Sequence, residues 1–240
     1  LNTKDSYVSA IRMSAAEGIR DFSNYLLYNF KDYPVDLYRR LLINVELCEE
    51  LGVNIYSFPM KYHPICKSPA DKEDFSHNRD YIGVNWNRKY IRAIQAILNS
   101  RKGKVGKGVP FFKKAFGHSE DEFLELLEMP ETFILYRLFF EWVDSLPDGK
   151  GTAHWRIAWK KCRESMDNKD WNALLEYIHG NVFDEVGNSR FESKDAQCLL
   201  SFYTYYRKDI ITPGTTLYKL KLQYDLNPTI KLRRKKEGQL

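Results

Sequence analysis

Cysteine is sparse and scattered in this chain: Cys48, Cys66, Cys162 and Cys198 are the four among 240 residues, and no two stand at C-x-x-C spacing. That excludes a zinc knuckle and a complete cluster-binding motif within the chain. The five histidines, His63, His77, His118, His154 and His179, contain no i, i+4 pair of the zinc-protease kind, so no metal site is expected. His63 with Cys66 is an isolated H-x-x-C that reads as chance. Long apolar runs are lacking as well, and nothing resembles a signal peptide, which makes cytoplasmic the expected location. A strong charge of one sign is missing too. The net charge is +5, part of it from the run Lys231-Leu-Arg-Arg-Lys-Lys236, so no global nucleic-acid field is implied.

What is present is enough apolar material for a core, with 43% hydrophobic and 29% charged residues, a balance that excludes disorder by composition. Aromatics reach 15%, which suits packed cores and ligand pockets alike. The most telling pattern is a helix–Gly–strand unit that occurs twice. Val8, Ile11, Ala15 and Ile19 fall near helical spacing, Gly18 ends that helix, and Phe22–Phe30 reads as a strand. Leu37, Leu41, Val45 and Cys48 make a second helical stripe, Gly52 ends it, and Val53–Phe58 reads as a second strand. Gly terminates helices because it alone takes left-handed dihedrals cheaply. A repeated helix-then-apolar-strand order predicts parallel strands joined by crossover helices. Ligands in such sheets sit beyond the carboxyl ends of the strands, which singles out Asn29–Pro34 and Pro59–Pro64.

Beyond that the alternation stops. Residues 67–80 are polar and read as a linker or loop. Tyr90, Ile91, Ile94, Ile97 and Leu98 form a helical stripe, and Ser119 with Glu122 reads as a capping box opening a helix through Met129. Pro130 begins a helix to about Val143. His154–Ser165 and Lys169–His179 read as helices, the latter capped by Asn168, and Ser193 caps one running to about Lys208. The tail from Thr212 has mixed β character. The Gly/Lys loop Gly103-Lys-Val-Gly-Lys-Gly108 suggests a phosphate-binding nest, yet without a Gly-Lys-Ser/Thr ending a solvated loop is the better reading. Glu120–Glu128 reads as a solvated acidic face, and Trp155, Trp159 and Tyr136 as core.

Two segments carry a family resemblance. Tyr28-Asn-Phe-Lys-Asp-Tyr-Pro-Val-Asp-Leu37 and Ser57-Phe-Pro-Met-Lys-Tyr-His-Pro64 resemble the turn after the fifth strand and the Pro-rich loop after the sixth strand of the radical S-adenosylmethionine (radical SAM) enzymes. The resemblance covers residues 5–66, about a quarter of the chain. It implies a fold of class α/β then α: the C-terminal strands and helices of a partial (β/α) barrel over residues 1–66, then a mainly helical extension over 81–240. Asn85–Gln95 and Phe111–Gly117 look similar to the extension of long members. The chain departs from the family where Asn29 replaces the usual Gly and where the Gly-Glu pair is absent. The C-x-x-x-C-x-x-C motif that holds the family's cluster is absent too. Leu1 at the start reads as a truncated frame, with the cluster-bearing half upstream.

The resemblance implies S-adenosylmethionine and a [4Fe-4S] cluster as cofactors, the cluster ligands lying outside this chain, which alone is expected to be inactive. Asn24, Asn29 and Asp32 at the end of the first strand, and Phe58, Pro59 and Met60 at the end of the second, are the expected cofactor-binding residues, with a binding and orienting role. Asn29 carries both donor and acceptor atoms, and Asp32 suits a helix cap or a ribose hydroxyl. Phe58, Met60 and Tyr62 suit a wall for a planar base. The alternative is a non-enzymatic helical interaction module, with nucleic acid as partner through Lys231–Lys236, Arg88, Lys89 and Arg92.

Overall fold

Residues 3–64 alternate helix and strand, with a glycine after each helix. Helix α1 (Thr3–Ala16) is followed by β1 (Asp21–Tyr28), and α2 (Pro34–Leu51) by β2 (Asn54–Lys61). At the end of α2, Gly52 takes φ 64 and ψ 29, the left-handed cap expected from its position. The structure, a computed structural model, describes residues 3–64, 80–100 and 102–230. Most of the expected linker, Cys66, His77 and the basic run Lys231–Lys236 lie outside the described residues. The chain divides into two compact units, residues 1–128 and 129–240.

In the first unit β1 and β2 pair in parallel, in register from Asp21 opposite Asn54 to Tyr28 opposite Lys61, with α2 as the crossover. The fold is therefore mixed α/β. β1 stops at Tyr28, short of the expected Phe30, because Asn29 swings to φ 73 and leaves the extended region. β2 runs past the expected Phe58 and through Pro59. Ser57 turns its N–H and C=O away from β1, to Val105, at 2.8 and 2.9 Å. Pro59, two residues on, faces the same way, where a missing N–H loses no ladder bond.

One face of the sheet is covered by α1 and α2. Ile11, Ala15, Leu47, Cys48, Val53 and Ile55 form the core there. On its other side α2 carries Tyr38, whose ring meets Phe112 of α4 (Val109–Phe116) at 5.1 Å and Phe123 of α5 (Glu120–Glu128) at 5.3 Å. These aromatic contacts bind α4 and α5 into the first unit, and α3 (Arg88–Asn99) joins through Lys89, which donates to Leu127 O in α5, all inside the stretch read from sequence as extension. Composition carries no sign of this, since the partners are far apart in sequence. The capping box at Ser119 forms one residue out of step: Ser119 Oγ accepts from Glu122 N, while the Glu122 carboxylate accepts from His118 N at 2.7 Å.

The second unit is helical throughout its described residues. The helix expected from Pro130 to Val143 is broken at Tyr136, φ −118, into α6 (Glu131–Leu135) and α7 (Arg137–Val143). Asp144 accepts from Gly151 N, Thr152 Oγ1 and Ala153 N and pairs with His154, which organises the start of α8 (Thr152–Ser165). Burial alone would raise the Asp144 carboxyl, but these bonds outweigh it and hold the group below the usual carboxylate range. α9 (Asn168–Gly180) is capped by Asp167, one residue before the expected Asn168. α10 (Glu185–Asn188) is followed by α11 (Lys194–Ser201), capped by Ser193 as expected. The chain then breaks into a 3-10 turn and α12 (Arg207–Ile211) rather than running on to Lys208. The tail expected to have β character is α13 (Thr216–Leu226), started by Thr215 accepting from Tyr218 N. Tyr224 is the buried residue of α13, so the helix has no apolar stripe for a periodicity reading to find. Trp155 is fully buried as expected, while Trp159 and Tyr136 are partly buried. No helix of the described residues is long and apolar enough to cross a membrane.

Candidate functional site

The carboxyl ends of β1 and β2 are tied together by one side chain. Asn29 is completely buried, and its Nδ2 donates to Tyr62 O and Tyr81 O, each at 3.0 Å, while its Oδ1 accepts from Gly83 N at 2.8 Å. The amide expected to meet a ligand is thus committed to main chain from two other segments. Its part in the site is to fix the rim. Gly83 lies so close to this turn that a Cβ there would stand 2.3 Å from Phe30 O, closer than any side chain permits. Above the clamp the rings of Phe30 and Tyr62 meet at 4.6 Å, and Tyr62 meets Tyr81 edge-on at 5.8 Å.

Asp32 neither caps α2 nor stands free. Tyr33 is the cap residue, and its N–H donates to Asp36 Oδ2 at 2.9 Å. The Asp32 carboxylate accepts from Phe30 N at 2.9 Å and from the Arg40 guanidinium at 2.5 Å. Arg40 also donates to Leu27 O, so it binds the last turn of the strand to the helix. Trp86 Nε1 donates to Asp32 O, and its ring packs 5.4 Å from that of Tyr28. Burial pushes the Tyr28 hydroxyl up to about 12, which keeps it neutral at any physiological pH.

The six expected site residues fall on three places. Asn29 and Asp32 shape the turn after β1. Phe58 and Met60 share the open face of the sheet with Tyr25, Leu27 and Tyr56, by the two-residue alternation of strands. On that face the rings of Tyr25 and Phe58 meet at 5.8 Å, and Tyr25 is 71% exposed, Leu27 50% and Met60 46%. Pro59 and Asn24 lie on the opposite face. Asn24 is in the middle of β1 rather than at its end, where it donates to Tyr7 Oη at 2.7 Å; Tyr7 donates to Asn44, and Asn44 to Ser57 Oγ. That chain crosses from α1 to β2 within the helix-covered layer, and burial pushes the Tyr7 hydroxyl up.

Tyr25, Leu27 and Tyr56 were missed from sequence, although unbroken apolar stretches in both strands signal two apolar faces. Lys89, assigned by sequence to a nucleic-acid surface, is fully buried and donates to Leu127 O at 2.9 Å, so it is not available to a polyanion. Among the described residues no three His, Cys, Asp or Glu side chains are grouped as metal ligands. Cys48 accepts from Ile55 N, and burial pushes its thiol up; burial raises Cys162 to about 11. Both are poor thiolates. No protein-family model matches the chain, and neither a curated protein nor a solved structure matches it.

Proposed function

We propose that this chain forms the closing strands and helical extension of a radical SAM enzyme, its open sheet face lining the adenine side of the cofactor pocket. The observation that carries this reading is the one-sided sheet. Parallel sheets are normally covered on both faces, and two strands alone are marginal. Here helices cover one face, the other exposes Tyr25, Leu27 and Met60, and among the described residues β1 has β2 as its sole ladder neighbour. In this reading that face looks into a barrel and the free side of β1 meets the preceding strand. The glycine-like φ of Asn29, at the position where the resemblance expects Gly, gives independent support.

The residues present fit part of the cofactor. Tyr25, Phe58 and Met60 make a soft apolar wall suited to a planar adenine ring. The described residues offer no fit for the cluster, whose three thiolates in this reading belong to an upstream part of the same protein. When bound, the [4Fe-4S] cluster supplies the electron that splits S-adenosylmethionine into methionine and a 5′-deoxyadenosyl radical. This chain's own residues bind and orient: the Asn29 clamp and the Asp32–Arg40 pair hold the rim, and the aromatic face excludes water. The reading places the protein in the cytoplasm, where Cys48, Cys162 and Cys198, free thiols in the structure, stay reduced.

The test is to purify this chain together with its upstream sequence in the absence of oxygen. Iron and sulfide content are then measured, along with release of 5′-deoxyadenosine from S-adenosylmethionine under a chemical reductant. The expected result is a cluster and reductant-dependent cleavage. A Phe58→Ser, Met60→Ser pair should raise KM for the cofactor about tenfold while leaving iron content unchanged, on the energy of burying such side chains. A protein with neither cluster nor 5′-deoxyadenosine release overturns the reading.

A further inference from the structure

Beside β2, on the side away from β1, the loop after α3 encloses an open cleft of about 310 Å³ lined by Tyr56, Lys102, Lys104, Lys107 and Phe111, among others. The loop's backbone is not the anion nest its glycines suggest. Gly103 N–H closes the end of α3 on Leu98 O at 2.9 Å, and Val105 N–H donates to Ser57 O. The side chains make the site. Lys104 Nζ stands 5.1 Å over the ring of Tyr56, a contact that holds the ammonium at the mouth. Lys102, Lys104 and Lys107 are all exposed, and among the described residues none of them has a carboxylate partner. The nearby acid, Glu49, takes Val109 N–H at 2.9 Å. Three like charges around one small cleft repel each other, and a dianion placed among them relieves that repulsion. Phe111, 52% exposed, adds an apolar wall.

We propose that this cleft binds a mononucleotide, the lysines holding its phosphate monoester and Phe111 flanking its base. The volume sits at the low end of small-molecule sites, which suits a ligand the size of a single nucleotide. A phosphate monoester carries the near-double charge that three lysines can neutralise. The site does not rest on the radical SAM reading, because its lysines and Phe111 belong to the chain after α3, and Tyr56 is the one residue it shares with the open sheet face.

Calorimetry on the 240-residue chain with adenosine monophosphate, inorganic phosphate and adenosine tests this. The monophosphate is expected to bind more tightly than either half, and to weaken as salt is raised. Lys104→Gln and Lys107→Gln should each weaken it about tenfold, the worth of a charge-assisted hydrogen bond. Phe111→Ser should bring its affinity down to that of phosphate, and Lys160→Gln in the second unit should change nothing. Circular dichroism checks that each variant is folded. The proposal is overturned by monophosphate binding no tighter than adenosine, or by lysine variants that bind like the parent. A ten-nucleotide oligoadenylate that outcompetes the monophosphate at equal nucleotide concentration also overturns it, in favour of single-stranded nucleic acid.

Discussion

In residues 129–240 the rings of Phe133 and Phe140 stack at 4.0 Å with both side chains fully buried, and Phe202 closes on Phe133 at 5.9 Å. On β1 and β2 the rings of Tyr25 and Phe58 meet at a comparable 5.8 Å, yet on a face that water reaches. The same residue types therefore do different work. In the helical unit Phe133, Phe140 and Phe202 pack on one another and are buried, so this apolar surface is consumed internally. In the α/β unit the helices satisfy one side of the sheet and leave an aromatic strip on the other. Polar side chains there, above all Asn29, Asp32 and Arg40, are used to stiffen the loops around that strip. A rigid rim around an uncovered apolar face is the arrangement of a binding surface, whereas a sealed aromatic stack is the arrangement of a core.

The comparison can be broken most severely at the sealed stack. Phe140→Ala removes a fully buried ring and leaves a cavity among Phe133, Phe139 and Tyr205. The expected loss is about 3–5 kcal/mol, a large share of a domain's net stability. Four of the five tryptophans, Trp142, Trp155, Trp159 and Trp171, lie in this unit, so urea titration followed by tryptophan emission reports it directly. A loss under about 1 kcal/mol would show that the stack is not the core that its burial indicates.

Next in size is the clamp. Asn29→Ala deletes three hydrogen bonds, strands buried main-chain groups and leaves φ 73 to alanine, which tolerates the left-handed region less well than asparagine. The expected cost is about 3 kcal/mol, at roughly 1 kcal/mol per bond. Asn29→Gly removes the bonds but suits the backbone, and should recover about 1 kcal/mol of that loss. Hydrogen exchange at the Gly83 amide, whose acceptor is Asn29 Oδ1, separates the two ideas. Faster exchange in both variants supports the clamp, and unchanged exchange disproves it.

The two regions also differ in how far they could be read in advance. The repeated helix–Gly–strand unit was legible because its signals are local: a left-handed cap, an apolar stripe, an apolar run. Phe58, Pro59 and Met60 were read as the end of the second strand and the loop after it; all three lie inside β2, where alternation puts Phe58 and Met60 on one face and Pro59 on the other. The role of Asn29 was not, since its acceptors and donor lie 33, 52 and 54 residues away. Asn24 was misplaced for a similar reason: a strand sequence alone does not say which face the helices cover. In the helical unit the elements were found but their breaks were not. Tyr136 and the Phe202–Thr204 turn interrupt helices at residues of ordinary propensity, so tertiary packing rather than local preference decides them. Helix α13 escaped because nothing in it repeats with the helical period except polarity.

The smallest expected effect on stability sharpens the comparison furthest. Tyr25→Thr with Leu27→Thr strips the open face of two of its most exposed apolar side chains while keeping strand propensity. If that face serves as a surface rather than a core, stability should move by no more than about 0.5 kcal/mol. Binding of an apolar fluorescent dye to the folded chain should fall by about half, because an exposed patch is what such a dye detects. A stability loss like that of Phe140→Ala would mean that the strip is packed against something in solution and belongs to a core after all. With stability unchanged and dye binding reduced, the aromatic strip stands as apolar surface that the fold exposes and does not need, which is the physical condition for a face that another part of a protein, or a flat apolar ligand, can cover.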